Sequence, residues 1–168
     1  PLPLPQTNKQ PTNKQINKRL LYTKHIKEGG ARMRRILLAT HGEFAAGILN
    51  SAEIIIGKSE QVQALCAFTD PTKDFQKQVQ TIIEEIQPGD ELVVVTDILG
   101  GSVNNEFMRY LDHEGLHLIS GLNLPLLIEL ILSTEPDTEK LIEELLEQMP
   151  KQIQYCNRIE FEEIPEEF

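Results

Sequence analysis

A chain of 168 residues, 40% apolar and 25% charged, has room for one domain around a buried core. Its formal charge of −10 hides an asymmetry: residues 1–32 hold seven Lys/Arg and one acid, leaving nine basic and 25 acidic residues in 33–168. So acidic a surface repels nucleic acid and anionic lipid, which excludes both as partners of the folded part. No window approaches the ~18 uninterrupted apolar residues of a membrane span, and no apolar core follows Pro1–Pro5 as it would in a signal peptide. The chain therefore reads as cytoplasmic, with no direct membrane insertion.

Residues 1–32 differ from the rest. Pro1–Pro5 and the repeated Asn8-Lys9-Gln10 and Asn13-Lys14-Gln15 show no sustained apolar period, a composition that favours disorder. Lys27-Glu28-Gly29-Gly30 is encodable by a purine run resembling a bacterial ribosome-binding site just ahead of the Met33 codon. Residues 1–32 are thus expected to be a disordered or non-native extension, in preference to a basic arm.

From Arg35 the pattern alternates. Ile36–Ala39 is a short apolar strand ending at Thr40-His41-Gly42, and Phe44–Ile56 carries apolar residues at helical spacing up to Gly57. Val62–Phe68 reads as a second strand, Lys73–Ile86 as a helix, and Pro88-Gly89-Asp90 as a turn. Leu92–Thr96 is a β-branched run suited to a sheet covered on both faces. Asp97–Ser102 is a loop opening a helix through about Leu111, and Leu116–Ile119 is strand four. Helices over Pro125–Leu132 and Thr138–Gln148 follow, then a candidate last strand, Ile153–Ile159. Cys66 and Cys156 lack any metal-ligand spacing and read as reduced apolar residues. Strands alternating with helices predict an α/β fold, a three-layer α/β/α sandwich with a doubly wound, mainly parallel sheet. Ligands then bind at the edge formed by the C-terminal ends of the strands, where His41 and Asp97 both fall.

Those two residues suggest chemistry. Neutral imidazole is a competent nucleophile near its unperturbed pKa of about 6.5. A carboxylate that accepts the proton of one ring nitrogen frees the other to attack, and Asp97 is placed to do so. Gly100-Gly101-Ser102 adds two flexible residues at a helix start, where amides and the helix dipole favour an anion. Ser102 is positioned either to cap that helix or to donate its hydroxyl to a phosphoryl oxygen. Alone, a histidine after a strand reads as structural and Gly-Gly-Ser as an ordinary turn. Together on one edge they describe a phosphohistidine pocket that needs neither metal nor cofactor.

Thr40-His41-Gly42, Ser51-Ala52-Glu53, the Asp97–Ser102 loop and Gly121–Pro125 occur in this order over roughly 33–158. They resemble the mannose-family enzyme IIA of the bacterial phosphoenolpyruvate-dependent sugar phosphotransferase system. The resemblance implies a phosphoryl-carrier domain over 33–159, followed by an acidic tail at 160–168. It implies that His41 takes phosphate on Nε2 from the histidine-containing phosphocarrier protein and passes it to a histidine of the enzyme IIB component. Asp97 would hold the other ring nitrogen, while Ser102 and the Gly101 amide, beside Gly100, would cradle the phosphoryl group. The family fold also implies a homodimer that exchanges an antiparallel C-terminal strand, here Ile153–Ile159, and separate membrane components for sugar transport. Two departures stand in the loop: Val103 where members often carry Pro, and Leu99 where an aromatic is common.

Other readings are weaker. An aspartyl-phosphate receiver built on Asp97 lacks the acidic pair that would hold magnesium beside strand one. A regulatory or dihydroxyacetone-kinase-associated carrier of the same fold is the alternative to sugar uptake. His113 and His117 sit near Asp112 and Glu114, but one falls in a turn and the other alternates with apolar residues, so a metal site is not expected. Arg109 is expected to be solvated or packed, and Asn123 and Pro125 either to line the edge or to form a turn.

Overall fold

A computed structural model describes residues 34–158, so the readings for 1–33 and for the acidic tail at 160–168 lie outside the described residues. In chain order the elements are β1 (Arg34–His41), α1 (Phe44–Ile56), β2 (Val62–Ala67), α2 (Phe75–Glu84), β3 (Glu91–Thr96) and α3 (Ser102–Met108). They continue with β4 (Leu116–Ser120), α4 (Leu124–Leu132) and α5 (Thr138–Gln148), then short 3-10 turns at Met149–Gln152 and Cys156–Arg158. The four strands are parallel in the order β2-β1-β3-β4. Strand succession reverses at β1, which opens the crevice between β1 and β3 at their C-terminal ends.

Alternation along the central strands sorts two cores. Ile36, Leu38, Val93 and Val95 face α1, α4 and α5, whose Ile48, Leu127, Leu130, Leu141 and Leu145 complete one apolar cluster. Leu37, Ala39 and Val94 face the other way, against Val79 and Ile83 of α2 and Val103 and Phe107 of α3. Side chains at successive strand positions must point to opposite faces, so the middles of β1 (Ile36, Leu37, Leu38, Ala39) and β3 (Leu92, Val93, Val94, Val95), covered on both, are unbroken apolar runs. This is the three-layer α/β/α sandwich read from the pattern. The far end of the sheet is fastened to α5. There the Arg34 Nε donates to Thr138 Oγ1 at 2.9 Å and its Nη2 to the Glu135 carbonyl at 2.6 Å, while the Thr138 hydroxyl donates to Glu91.

Three ends differ from the sequence reading. Helix α2 starts at Phe75 because the Asp74 carboxylate accepts the Lys77 amide at 3.2 Å, a side-chain cap. Helix α3 stops at Met108, since the Arg109 and Tyr110 amides bond three residues back to the Glu106 and Phe107 carbonyls. The expected last strand is absent over its described part: Ile153–Tyr155 has no regular structure and Cys156–Arg158 is a 3-10 turn. An isolated strand has no ladder to stabilise it, and within one chain this segment finds only local i→i−3 bonds, such as Arg158 N–H to the Tyr155 carbonyl at 3.0 Å. Among the described residues the sheet is accordingly wholly parallel.

Gly115, in the turn just before β4, has φ +80°, and a Cβ there would lie 2.3 Å from the Asp90 carbonyl oxygen. Left-handed backbone and collision with a fixed main-chain atom combine, so Gly115→Ala is expected to lower stability by about 2–4 kcal/mol in urea denaturation. A change below about 0.5 kcal/mol would show that the turn between α3 and β4 is not tightly held.

Candidate functional site

Each half of the site hangs on a buried threonine at a strand end. Thr40, the penultimate residue of β1, accepts the Ala45 amide on its Oγ1 at 2.8 Å, which fixes the start of α1 beneath His41 and Gly42. Gly42 has φ +58°, and its amide donates to the Ala67 carbonyl at 3.0 Å, tying the turn to the end of β2. Thr96, the last residue of β3, accepts from Asn104 Nδ2 at 3.0 Å and donates to the Ile119 carbonyl at 3.3 Å. Buried Asn104 turns its other end back, accepting the Gly100 amide on Oδ1 at 3.0 Å. The Asp97–Ser102 loop is thereby stitched to its own strand and helix.

The β1–β3 register pairs Ala39 with Thr96, which brings the residues just beyond, Thr40-His41 on one side and Asp97 on the other, to the same end of the crevice. One carboxylate oxygen of Asp97 takes two donors from His41: the main-chain N–H at 2.9 Å and ring Nδ1 at 2.8 Å. Its other oxygen accepts the Ile98 amide at 2.9 Å. An ionised carboxylate can only accept, which assigns the ring proton to Nδ1 and leaves a lone pair on Nε2. That lone pair faces the Ser102 hydroxyl at 2.9 Å, on the exposed side of the ring. Burial of Asp97 raises its pKa, but the His41 main-chain N–H, the His41 ring and the Ile98 amide outweigh it and hold the carboxyl below its ordinary value.

The glycines act through shape. Gly100 has φ +74°, a conformation open to glycine at little expense. At Gly101 a Cβ would lie 2.7 Å from Ile98 Cγ2 and 3.1 Å from His41 Cε1, so only a bare Cα lets the imidazole sit this close. The Gly101 amide donates to the Ile98 carbonyl at 3.2 Å. At the α3 terminus the N-cap is Gly101 and no side chain caps the helix, so the Ser102 hydroxyl serves the histidine and not the helix.

The structure thus brings together His41, Asp97, Gly100, Gly101 and Ser102. The remaining candidates lie elsewhere or do other work. Arg109 pairs with Glu106 at 3.2 Å, and Asn123 caps α4 by accepting the Leu126 amide at 3.0 Å. The exposed His113 ring contacts the Glu114 carbonyl through Nδ1 at 2.9 Å. Sequence reasoning missed the supporting pair Thr40 and Thr96, whose signal was a threonine directly before each of the candidates His41 and Asp97. It also missed Phe68, taken as the end of a strand but standing just past β2 with φ +63° and its ring 5.7 Å from the imidazole.

Residues 35–149 match the family described as PTS system fructose IIA component. A structure described as a phosphoenolpyruvate-dependent sugar phosphotransferase system permease from Klebsiella pneumoniae is 46% identical, with a TM-score of 0.73 over 77% of this chain and 96% of that one. The PTS IIA protein associated with the fucose utilization operon from Streptococcus pneumoniae is 29% identical, with a TM-score of 0.65 over 77% of this chain and 98% of that one. The PTS system mannose-specific EIIAB component of Escherichia coli (strain K12) is 28% identical over 112 residues, 61% of this chain. The chain spans about a third of that relative's length, 32%.

Because Asp97 titrates lower in the folded chain than the ordinary carboxylate value of about 3.9, its contribution to stability is complete above that value and lost as the pH falls through the folded one. The stability difference between the native protein and Asp97→Asn, measured by denaturation, is therefore expected to shrink as the pH falls below about 4. A gap that widens over that acid range would contradict the ionised pairing.

Proposed function

Since the chain belongs to the mannose-type enzyme IIA family of the sugar phosphotransferase system, we propose that it is a phosphohistidine carrier in sugar uptake. His41 Nε2 receives the phosphoryl group from the histidine-containing phosphocarrier protein and hands it to a histidine of enzyme IIB. The observation that carries this reading is the imidazole itself: Nδ1 lies 2.8 Å from the Asp97 carboxylate and Nε2 is left on the open side beside Ser102.

The step balances without a metal. The Nε2 lone pair attacks phosphorus, the N–P bond of the donor breaks, and its electron pair stays on the donor's ring nitrogen. The proton on Nδ1 remains there, and the cation that forms on the ring is held by Asp97. Ser102 then swings its O–H from Nε2 to a phosphoryl oxygen. The Gly100-Gly101 turn leaves room for that group, with the first-turn N–H groups of α3 beside it. Exposed Phe44, Ile98 and Leu99 on this edge suit a protein as the donor, since an apolar rim of this kind is ordinarily an interface.

The carrier domain is taken as 33–159, working in the cytoplasm with no segment in the membrane; among the described residues no helix is long and apolar enough to cross one. The homodimer is part of the proposal. Among the described residues β4 pairs on one side only, with β3, and Ile153 and Tyr155 are exposed, as a segment awaiting a second chain would leave them.

Incubation with phosphoenolpyruvate, enzyme I and the phosphocarrier protein is expected to label the native protein with a base-stable, acid-labile phosphate at His41. His41→Ala should abolish labelling, whereas His113→Ala and His117→Ala should retain it. Label persisting in His41→Ala would refute the assignment. Gly101→Ala, which presses on Cε1 without straining the backbone, is expected to slow transfer by at least about tenfold with a near-native melting temperature. Unimpaired transfer in that variant would mean the close approach of loop and ring is dispensable.

A further inference from the structure

Three sides of the His41 ring are engaged by the groups already described: Asp97 at Nδ1, Gly101 at Cε1 and Ser102 at Nε2. A further aromatic neighbour belongs to a residue with no place in that scheme. The Phe68 ring centroid lies 5.7 Å from that of the imidazole, tilted by 37°, and on its other side 5.2 Å from Phe75, which is buried at the start of α2. Phe68 is still 59% exposed, so packing alone does not account for it. It is also, among the described residues, the one non-glycine with positive φ, at +63°.

A bulky side chain in the left-handed region persists only where its surroundings impose it. Here they do. The preceding carbonyl, of Ala67, accepts the Gly42 amide at 3.0 Å from the turn after His41. The Cys66 carbonyl accepts the Thr69 hydroxyl at 3.1 Å, closing a bracket around Phe68. A glycine would adopt this backbone freely. The strained phenylalanine instead puts an aromatic ring beside the histidine.

From this, resting on the carrier reading above, the geometry points to Phe68 as a positioning residue for phosphoryl transfer, its ring fixing the plane of the His41 imidazole and shielding its phosphorylated form from water. Two physical effects act together. The ring obstructs rotation of the imidazole that would carry Nδ1 off Asp97 and Nε2 out of the pocket. On phosphorylation the imidazole keeps its Nδ1 proton and becomes cationic, which an adjacent aromatic ring favours electrostatically. Hydrolysis competes with transfer. In that reaction a water oxygen attacks phosphorus, the N–P bond breaks with its electron pair returning to Nε2, and inorganic phosphate leaves. An apolar wall beside the ring removes part of water's access.

The test uses the full chain, phosphorylated by phosphoenolpyruvate, enzyme I and the phosphocarrier protein and then freed of all three. Phe68→Gly removes the ring while relieving the backbone, and Phe68→Asn, a residue that tolerates the left-handed region, guards against misfolding of the first variant. Both are expected to lose phosphate about tenfold faster than the native protein and to show a lower kcat for transfer with KM for the donor little changed. Phe68→Tyr should restore native values. Native rates of loss and of kcat in both ring-less variants, or a rise in KM alone, would overturn the inference, the latter making Phe68 a docking contact only. Absence of label on the native protein would instead overturn the carrier reading.

Discussion

One carboxylate oxygen ties the two central strands together at their functional ends. Asp97 accepts both the main chain and the ring of His41, so the same interaction that closes the top of the β1–β3 crevice also selects the tautomer of the imidazole. The rest of the fold can be understood as what makes this meeting inevitable. Doubly covered apolar strands put β1 beside β3, and the register that aligns Ala39 with Thr96 brings His41 and Asp97 to the same end of the crevice, where they bond. Thr40 and Thr96, both fully buried, convert the strand ends into fixed posts by bonding the helices that follow.

Much of this was legible beforehand, for identifiable reasons. Helices α1 and α5 were bounded correctly by the sequence pattern, because Gly57 ends one and Asp137 caps the other through the Lys140 amide. The neighbouring of His41 and Asp97 followed from doubly wound topology, since each residue ends a central strand. The loop residues were found by type and order. What stayed hidden depends on contacts between elements distant in sequence. Phe68 looked like one more β-former extending β2, and nothing in its neighbours announces a left-handed residue whose ring reaches His41. Asn104 looked like a polar helix residue, although it is buried and bridges Thr96 to Gly100. The stretch 153–158 shows the opposite failure: its β-propensity is real, but a strand forms only in a ladder, and these described residues join none.

The proposed chemistry sits at the sheet edge, where His41, Asp97 and Ser102 meet. In the proposed relay the site needs only to accept, hold and release a phosphoryl group. The structure supplies an oriented nucleophile, a rotatable hydroxyl and a small-residue turn for that purpose. Replacement of the common aromatic by exposed Leu99 alters the rim that a partner would meet and leaves the nucleophile untouched.

The most direct measurement of the central claim is the tautomer of His41 in the unphosphorylated protein, read from the ring nitrogen shifts by long-range 1H–15N NMR at neutral to mildly alkaline pH. A carboxylate-held ring predicts a protonated Nδ1 and an unprotonated Nε2, with the Asp97→Asn variant losing that bias. A native ring protonated at Nε2 would leave no lone pair facing Ser102 and would contradict the account.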